Sequence, residues 1–282
     1  MEFLTKLLII SVLFLFYFVF LLTTNVMLEY ENVYVINLNS RPDRLAFMTE
    51  ILNEIQQPFI RTEAIDGNKL EELCEKKMPL PLNPKISYSC EDLIRNKSEN
   101  KCINGEIGCW LTHLQLYYQI VENFEKTGRD NPSIILEDDI DVDVNFKELV
   151  NKSLSNLPYD WEIFYVGCNL PAEIELLFNN IAISKKFYGT YAYVVRNADA
   201  AKKLISISNK SDCQVADHIF LDAIRERILR SYIAYPRIYA SSDIMFGTDV
   251  QPEWKDLSWR KLKNKQIDES LIEKINKRKH EI

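Results

Sequence analysis

Five acids crowd the stretch "SIILEDDIDVDVNF", residues 133–146: Glu137, Asp138, Asp139, Asp141 and Asp143. If the chain stays extended past Leu136, Glu137, Asp139, Asp141 and Asp143 share one face, because strand side chains alternate. Carboxylates so placed repel, and a hard divalent cation such as Mn²⁺ or Mg²⁺ relieves that repulsion through oxygen ligands and substrate phosphates. The competing reading is a solvated acidic turn. The aliphatic run just before the acids favours a site mounted on a strand end.

A second group lies in "NGEIGCWLTHLQLYYQIVENF", residues 104–124. Ile107, Leu111, Leu114, Tyr118 and Val121 form an apolar helical stripe that must pack on a core. Glu106, Cys109 and His113 share a different stripe, so His113 is a candidate to face a ligand; a structural histidine is the alternative. "NLNSRPDR", residues 37–44, puts Asn37, Arg41 and Arg44 together, and arginines at a helix start suit an anion such as a diphosphate better than the helix dipole. Asp66, before Gly67, reads equally as a plain turn or a ribose contact. Asp217 opens a helix, either as a favourable first-turn acid or as a base for an acceptor hydroxyl.

The elements that must carry these residues alternate. "NVYVINLN" is a strand, "PDRLAFMTEILNEI" a helix, "PFIRTEAI" a strand, residues 105–125 a helix, "SIIL" and "WEIFYVG" strands. "GTYAYVV" is a strand, "NADAAKKLISI" and "VADHIFLDAIRERI" are helices, and "YIAYPRIYA" is a late extended segment. Such alternation predicts an α/β fold with a mostly parallel central sheet, covered on both faces, with ligands at the carboxyl ends of the strands. Residues 76–102 are polar and proline-bearing, and read as a loop.

Composition excludes some partners. The net charge of −7 offers no basic face, so nucleic acid is not expected. No P-loop, G-x-S-x-G or G-x-G-x-x-G is present, and three histidines leave little room for a nucleophilic triad.

Residues 7–22, "LLIISVLFLFYFVFLL", carry no charge and predict one N-terminal membrane helix within residues 1–28. A cleaved signal peptide is the competing reading, though no small-residue cleavage site follows. Lys6 before the run and Glu29 and Glu31 after it predict a single-pass, type II protein with its domain in the ER or Golgi lumen. Residues 29–250 then form the globular domain and 251–282 a charged tail. Six cysteines allow a disulfide set or reduced core thiols, and the sequons at Asn96, Asn151 and Asn209 are no more than chance supplies.

Together, "VINLNSRPDR", "AIDG", "GEIGCWLTH", "IILEDDI" and "GTYAYVVRNADAAKKL" resemble, in order, the motifs of glycosyltransferase family 25. That group includes lipopolysaccharide-building and procollagen galactosyltransferases. Thr112 stands where the family commonly has serine.

The resemblance implies a GT-A type fold and an inverting enzyme that moves a hexose, galactose foremost, from a UDP-sugar. The acceptor would be a hydroxyl of a glycan, lipid-linked glycan or protein. It also implies Mn²⁺ or Mg²⁺ held by Glu137, Asp138 and Asp139, and a donor site of Asn37, Arg41, Arg44, Asp66, Glu106 and His113. Asp139 and Asp217 would be catalytic. A membrane-tethered binding or scaffold protein that has lost transfer is the alternative, and a metal-dependent hydrolase or nucleotidyltransferase uses similar acids.

Overall fold

The computed structural model describes residues 29–241, apart from 100, 211–215 and 237. The expected membrane helix and the charged tail lie outside the described residues. Among those residues no helix is long and apolar enough to cross a membrane.

The centre is an eight-stranded sheet in the order β2-β1-β3-β8-β5-β9-β7-β6. Its strands are β1 (Asn32–Asn37), β2 (Ile60–Glu63), β3 (Ser133–Glu137), β5 (Ile163–Tyr165), β6 (Asn169–Phe178), β7 (Ile181–Tyr188), β8 (Ala192–Val195) and β9 (Ser231–Ala234). A separate antiparallel pair joins β4 (Ile140–Val142) to β10 (Tyr239–Ser241). Pairing is parallel for β1 with β2 and β3 and for β5 with β9, and antiparallel elsewhere in the large sheet. The sheet is therefore mixed, although only β8 and β7 run against the common direction.

Strand alternation splits the core in two. Tyr34, Ile135, Ile163, Tyr165, Tyr193 and Val195 face one layer. Val33, Val35, Ile134, Leu136, Phe164 and Val194 face the other. The first layer is covered by α4 (Asn104–Thr127), α6 (Ala198–Asn209) and α7 (Ala216–Arg225). The second is covered by α1 (Pro42–Glu54) and α5 (Phe146–Asn156), whose Phe47, Met48, Ile51, Leu52, Phe146, Val150 and Leu154 are all buried. Ile107, Leu111, Leu114 and Val121 pack as the stripe requires, with Tyr118 half-buried. Trp110, Leu116, Tyr117 and Ile120 are buried too, so α4 is enclosed over more of its circumference than one stripe.

Two segments depart from expectation. Residues 76–102 are not all loop: α3 (Cys90–Ser98) is started by a capping box in which Ser89 and Asp92 satisfy each other's backbone N–H. A disulfide, Cys74–Cys90, ties it to α2 (Gly67–Glu75). The β6–β7 hairpin turns at Asn179 and Asn180, both at positive φ (46° and 65°), which asparagine tolerates better than most residues. Of the three sequons, Asn96 and Asn151 are buried and only Asn209 is open to modification.

Two glycines let the elements near the acids approach closely. A Cβ on Gly108 of α4 would lie 2.3 Å from the Ile65 carbonyl oxygen, and one on Gly67 only 1.7 Å from the Asn104 carbonyl oxygen. Thr112 then locks the same contact, donating its hydroxyl to the Gly108 carbonyl (2.7 Å) and accepting from the Ile65 N–H (2.9 Å). A serine hydroxyl makes the same two bonds, which is why the exchange at this position is mild.

Gly108→Ala is expected to cost about 1–3 kcal/mol or more in urea unfolding, because backbone must move. Gly128→Ala meets nothing within 4 Å and is strained only by its φ of +70°, costing about 1–2 kcal/mol. Equal and negligible losses for both would refute the tight helix–loop contact.

Candidate functional site

The carboxyl ends of β1, β2 and β3 and the start of β8 meet at one edge of the sheet, since Leu136 pairs with Ala192. A cleft of about 240 Å³ opens there. Arg44, Asp66, Gly67, Cys109, His113, Glu137, Asp138 and Asp139 all contribute to its wall. The acids do not run on as one extended face: β3 stops at Glu137 and the chain turns at Asp138 and Asp139 before β4. That turn aims the first three acids at the cleft. Asp141 is buried on β4, and Asp143 accepts the Asn145 N–H (2.8 Å) as the lead-in to α5.

Asp138 is held on both oxygens. Arg44 Nη1 donates to Oδ1 at 2.9 Å and Asn37 Nδ2 to Oδ2 at 2.7 Å, with all three residues buried. Burial raises the Asp138 carboxyl above its ordinary value, and the charge of Arg44 with the Asn37 hydrogen bond offsets part of that rise. Asn37 also donates to the Arg41 carbonyl and accepts from Arg61 Nε, so it clamps three segments and does not present itself to the cleft. Asp138 is thus the anchor of the turn, with both of its carboxylate oxygens taken by protein donors.

Glu137 is held differently. Thr190 donates to its Oε1 at 2.6 Å, and His113 Nε2 lies 3.3 Å from the same oxygen. Burial works to raise this carboxyl, but the His113 hydrogen bond and charge, then the Thr190 bond and the Arg44 charge, bring it below its ordinary value. With Glu137 ionised, His113 Nε2 is the donor. His113 Nδ1 shares a hydrogen bond with the Tyr193 hydroxyl (2.7 Å), which shares another with that of Tyr117 (2.7 Å). Both tyrosines are buried and their hydroxyls are pushed up by burial, so they stay protonated.

Burial, then the charges of Glu137, Asp217, Asp139 and Glu106, push the Cys109 thiol well above its ordinary value. Asp217 does not line the cleft; it is buried behind it, with Oδ2 accepting the Gly189 N–H at 2.7 Å. Its Oδ1 has no hydrogen-bond partner among the described residues. Gly189 sits at φ +89° with its Cα against the Tyr191 ring, a position only glycine fits comfortably.

The other expected donor contacts divide. Arg44 and Asp66 reach the cleft, Asp66 while capping α2 through the Asn68 N–H (3.0 Å). Arg41 instead forks onto Asp43 at 3.0 and 2.8 Å near the surface. Glu106 folds back to the Ile103 N–H (3.1 Å) and serves the start of α4. Thr190, Tyr193, Tyr117 and Gly189 were not among the expected residues. "GTYAY" reads only as a strand, and nothing local in it signals contacts to Glu137, His113 and Asp217.

Glu137 and Asp139 supply hard carboxylate oxygens at the cleft wall, a donor set that suits Mn²⁺ or Mg²⁺.

The chain matches the profile of glycosyltransferase family 25 (LPS biosynthesis protein) over residues 30–219. It is 27% identical to human procollagen galactosyltransferase 2 over 187 residues, 62% of this chain and 27% of that protein. It is 29% identical to Xenopus laevis procollagen galactosyltransferase 1-B over 188 residues, 63% of this chain and 28% of that one. It is also 27% identical to mouse inactive glycosyltransferase 25 family member 3 over 190 residues, 63% and 29% respectively. The matched stretch thus spans little more than a quarter of these relatives.

Removing Arg44 leaves Asp138 buried without its counter-charge, so Arg44→Leu is expected to cost about 3–5 kcal/mol near neutral pH. Losing Arg44 raises the Asp138 carboxyl further, so the penalty is full above the variant's value, fades as pH falls from there to the wild-type value, and is absent below that. Urea unfolding across pH checks this; a loss independent of pH would place the cost elsewhere.

Proposed function

The chain belongs to glycosyltransferase family 25, and from that membership we propose that it moves a hexose, galactose foremost, from a UDP-sugar to an acceptor hydroxyl. The observation that carries this reading is the pair Glu137 and Asp139 at the wall of a cleft at the sheet's carboxyl edge, beside Arg44 and His113. An α/β sheet with its acids at that edge is what a GT-A type donor site requires, and ligands settle there in such sheets.

Glu137 and Asp139 would hold Mn²⁺ or Mg²⁺, which when bound supplies positive charge to the departing diphosphate. The remaining tasks belong to side chains. Arg44, pinned by Asp138, adds a fixed cation at the cleft wall, so its charge need not reorganise as negative charge builds on the leaving group. His113, oriented from behind by Tyr193, fixes the Glu137 carboxylate. Asp66 and Asn68, which also line the cleft, would take the ribose and sugar hydroxyls.

Asp217 is our assignment for the base. Gly189 holds one of its oxygens, and Oδ1, buried behind the cleft wall with no hydrogen bond among the described residues, would take the proton of an acceptor hydroxyl once that wall admits it, as single-displacement inversion needs. The acceptor is a glycan, a lipid-linked glycan or a protein. A luminal, membrane-tethered setting agrees with the apolar run 7–22 and with the Cys74–Cys90 disulfide, which persists in oxidising compartments.

The similarity to an inactive family member motivates a second reading, a donor-binding protein without transfer. The acids Glu137 and Asp139 at the cleft wall favour the enzyme.

A screen of UDP-sugars with Mn²⁺ and product analysis should yield a sugar–acceptor conjugate, lost on chelation. Asp139→Asn should lower transfer by about 10²–10³-fold, the scale of one lost transition-state contact, with the melting profile kept. UDP binding without turnover by the wild-type chain would select the scaffold; undiminished transfer by Asp139→Asn would remove Asp139 from the site.

A further inference from the structure

On the inner wall of the cleft lies a second donor set, which adds Cys109, unused by the transfer reading, to His113 and Glu137. Cys109 and His113 stand four residues apart on α4 and so share a helix face. Glu137 comes to meet them from the end of β3. One ligand atom from each, the Cys109 sulfur, a His113 ring nitrogen and a Glu137 carboxylate oxygen, lie within 4.8 Å of one another. His113 Nε2 and Glu137 Oε1 are already 3.3 Å apart.

From these three residues we propose a second cation site, for a thiophilic divalent ion of the zinc type. The donor chemistry separates it from the hard-ion site. Sulfur and imidazole nitrogen select zinc-like ions, whereas Mn²⁺ and Mg²⁺ prefer oxygen alone. The spacing agrees as well: zinc bonds of ~2.0–2.2 Å to nitrogen and oxygen give a tetrahedral edge of about 3.4 Å. The His113–Glu137 separation matches that edge, and the sulfur needs only a side-chain adjustment. Three protein ligands leave a fourth position toward the cleft, the open form of zinc site.

The surroundings are built for this use of His113. Its other ring nitrogen, Nδ1, is fixed at 2.7 Å from the Tyr193 hydroxyl, which itself contacts Tyr117. When Nε2 gives its lone pair to a metal, Nδ1 carries the proton and donates to Tyr193, and Tyr193 turns its own proton to Tyr117. A metal-bound histidine with an outer partner on its second nitrogen is the usual arrangement. The Cys109 proton leaves to solvent as the sulfur binds.

Glu137 is common to both donor sets. A zinc-type ion on Cys109 and His113 therefore excludes a hard ion from Glu137, and this one clause rests on the transfer reading. The site itself does not, since it is measured with no sugar nucleotide present.

The test loads the full chain with Co²⁺ as a spectroscopic substitute and with Zn²⁺ against a chromogenic chelator. The wild-type chain should show a thiolate-to-cobalt charge-transfer band that disappears in Cys109→Ala. Zinc affinity should fall about 10–100-fold in Tyr193→Phe, the scale of a lost outer partner, and further in Cys109→Ala. Zn²⁺ should also slow alkylation of Cys109 in the unmodified chain, read by mass spectrometry, and this arm stands even if a variant fails to fold. No band, a band that survives Cys109→Ala, or alkylation unaffected by Zn²⁺ would overturn the site.

Discussion

The buried ion pair between Arg44 and Asp138 is the constraint on which the site depends. It joins the start of α1 to the turn after β3, and Asn37 closes the triangle by bonding both the acid and the Arg41 carbonyl. Desolvating two charges is costly, and such a pair is weak as a source of stability. Its value here is positional. With Asp138 held from two sides, the backbone on either side of it is fixed, and Glu137 and Asp139 are presented to the cleft instead of to solvent.

A second set of contacts completes the frame from the opposite side. The "GTYAY" segment crosses from β7 to β8, and in five residues it bonds Asp217 through Gly189, Glu137 through Thr190 and His113 through Tyr193. The three groups that matter most to the proposed chemistry are thus oriented by one short stretch of chain. Its left-handed glycine is the local cost, set at the place where strain is commonly stored. The glycines Gly67 and Gly108 act similarly, bringing the loop after β2 and the start of α4 close enough for Asp66 and Cys109 to share one cleft.

Much of this was legible in the sequence, and for physical reasons. The strand before Glu137, the helix carrying His113 and the arginine turn each have a local period or a turn chemistry, and the structure forms all three. The hairpin of β6 and β7 and the capped helix α3 also carry local signals, Asn179-Asn180 and Ser89-x-x-Asp92. The bonds from Thr190 to Glu137 and from Tyr193 to His113 are another matter. They span 53 and 80 residues, and no pattern within either segment announces the other. The same limit explains why Asp138 was grouped with the metal ligands: its commitment to Arg44 is a contact across 94 residues.

The central claim is that the turn after β3 holds the donor's cation between Glu137 and Asp139. Diffraction from crystals grown with UDP and Mn²⁺ tests it most directly, because manganese is located by its anomalous scattering without interpretation of the surrounding density. The account predicts one strong anomalous peak within bonding distance of Glu137 and Asp139 carboxylate oxygens and of the diphosphate. A peak on Asp141 and Asp143, or UDP bound away from this cleft, would contradict it.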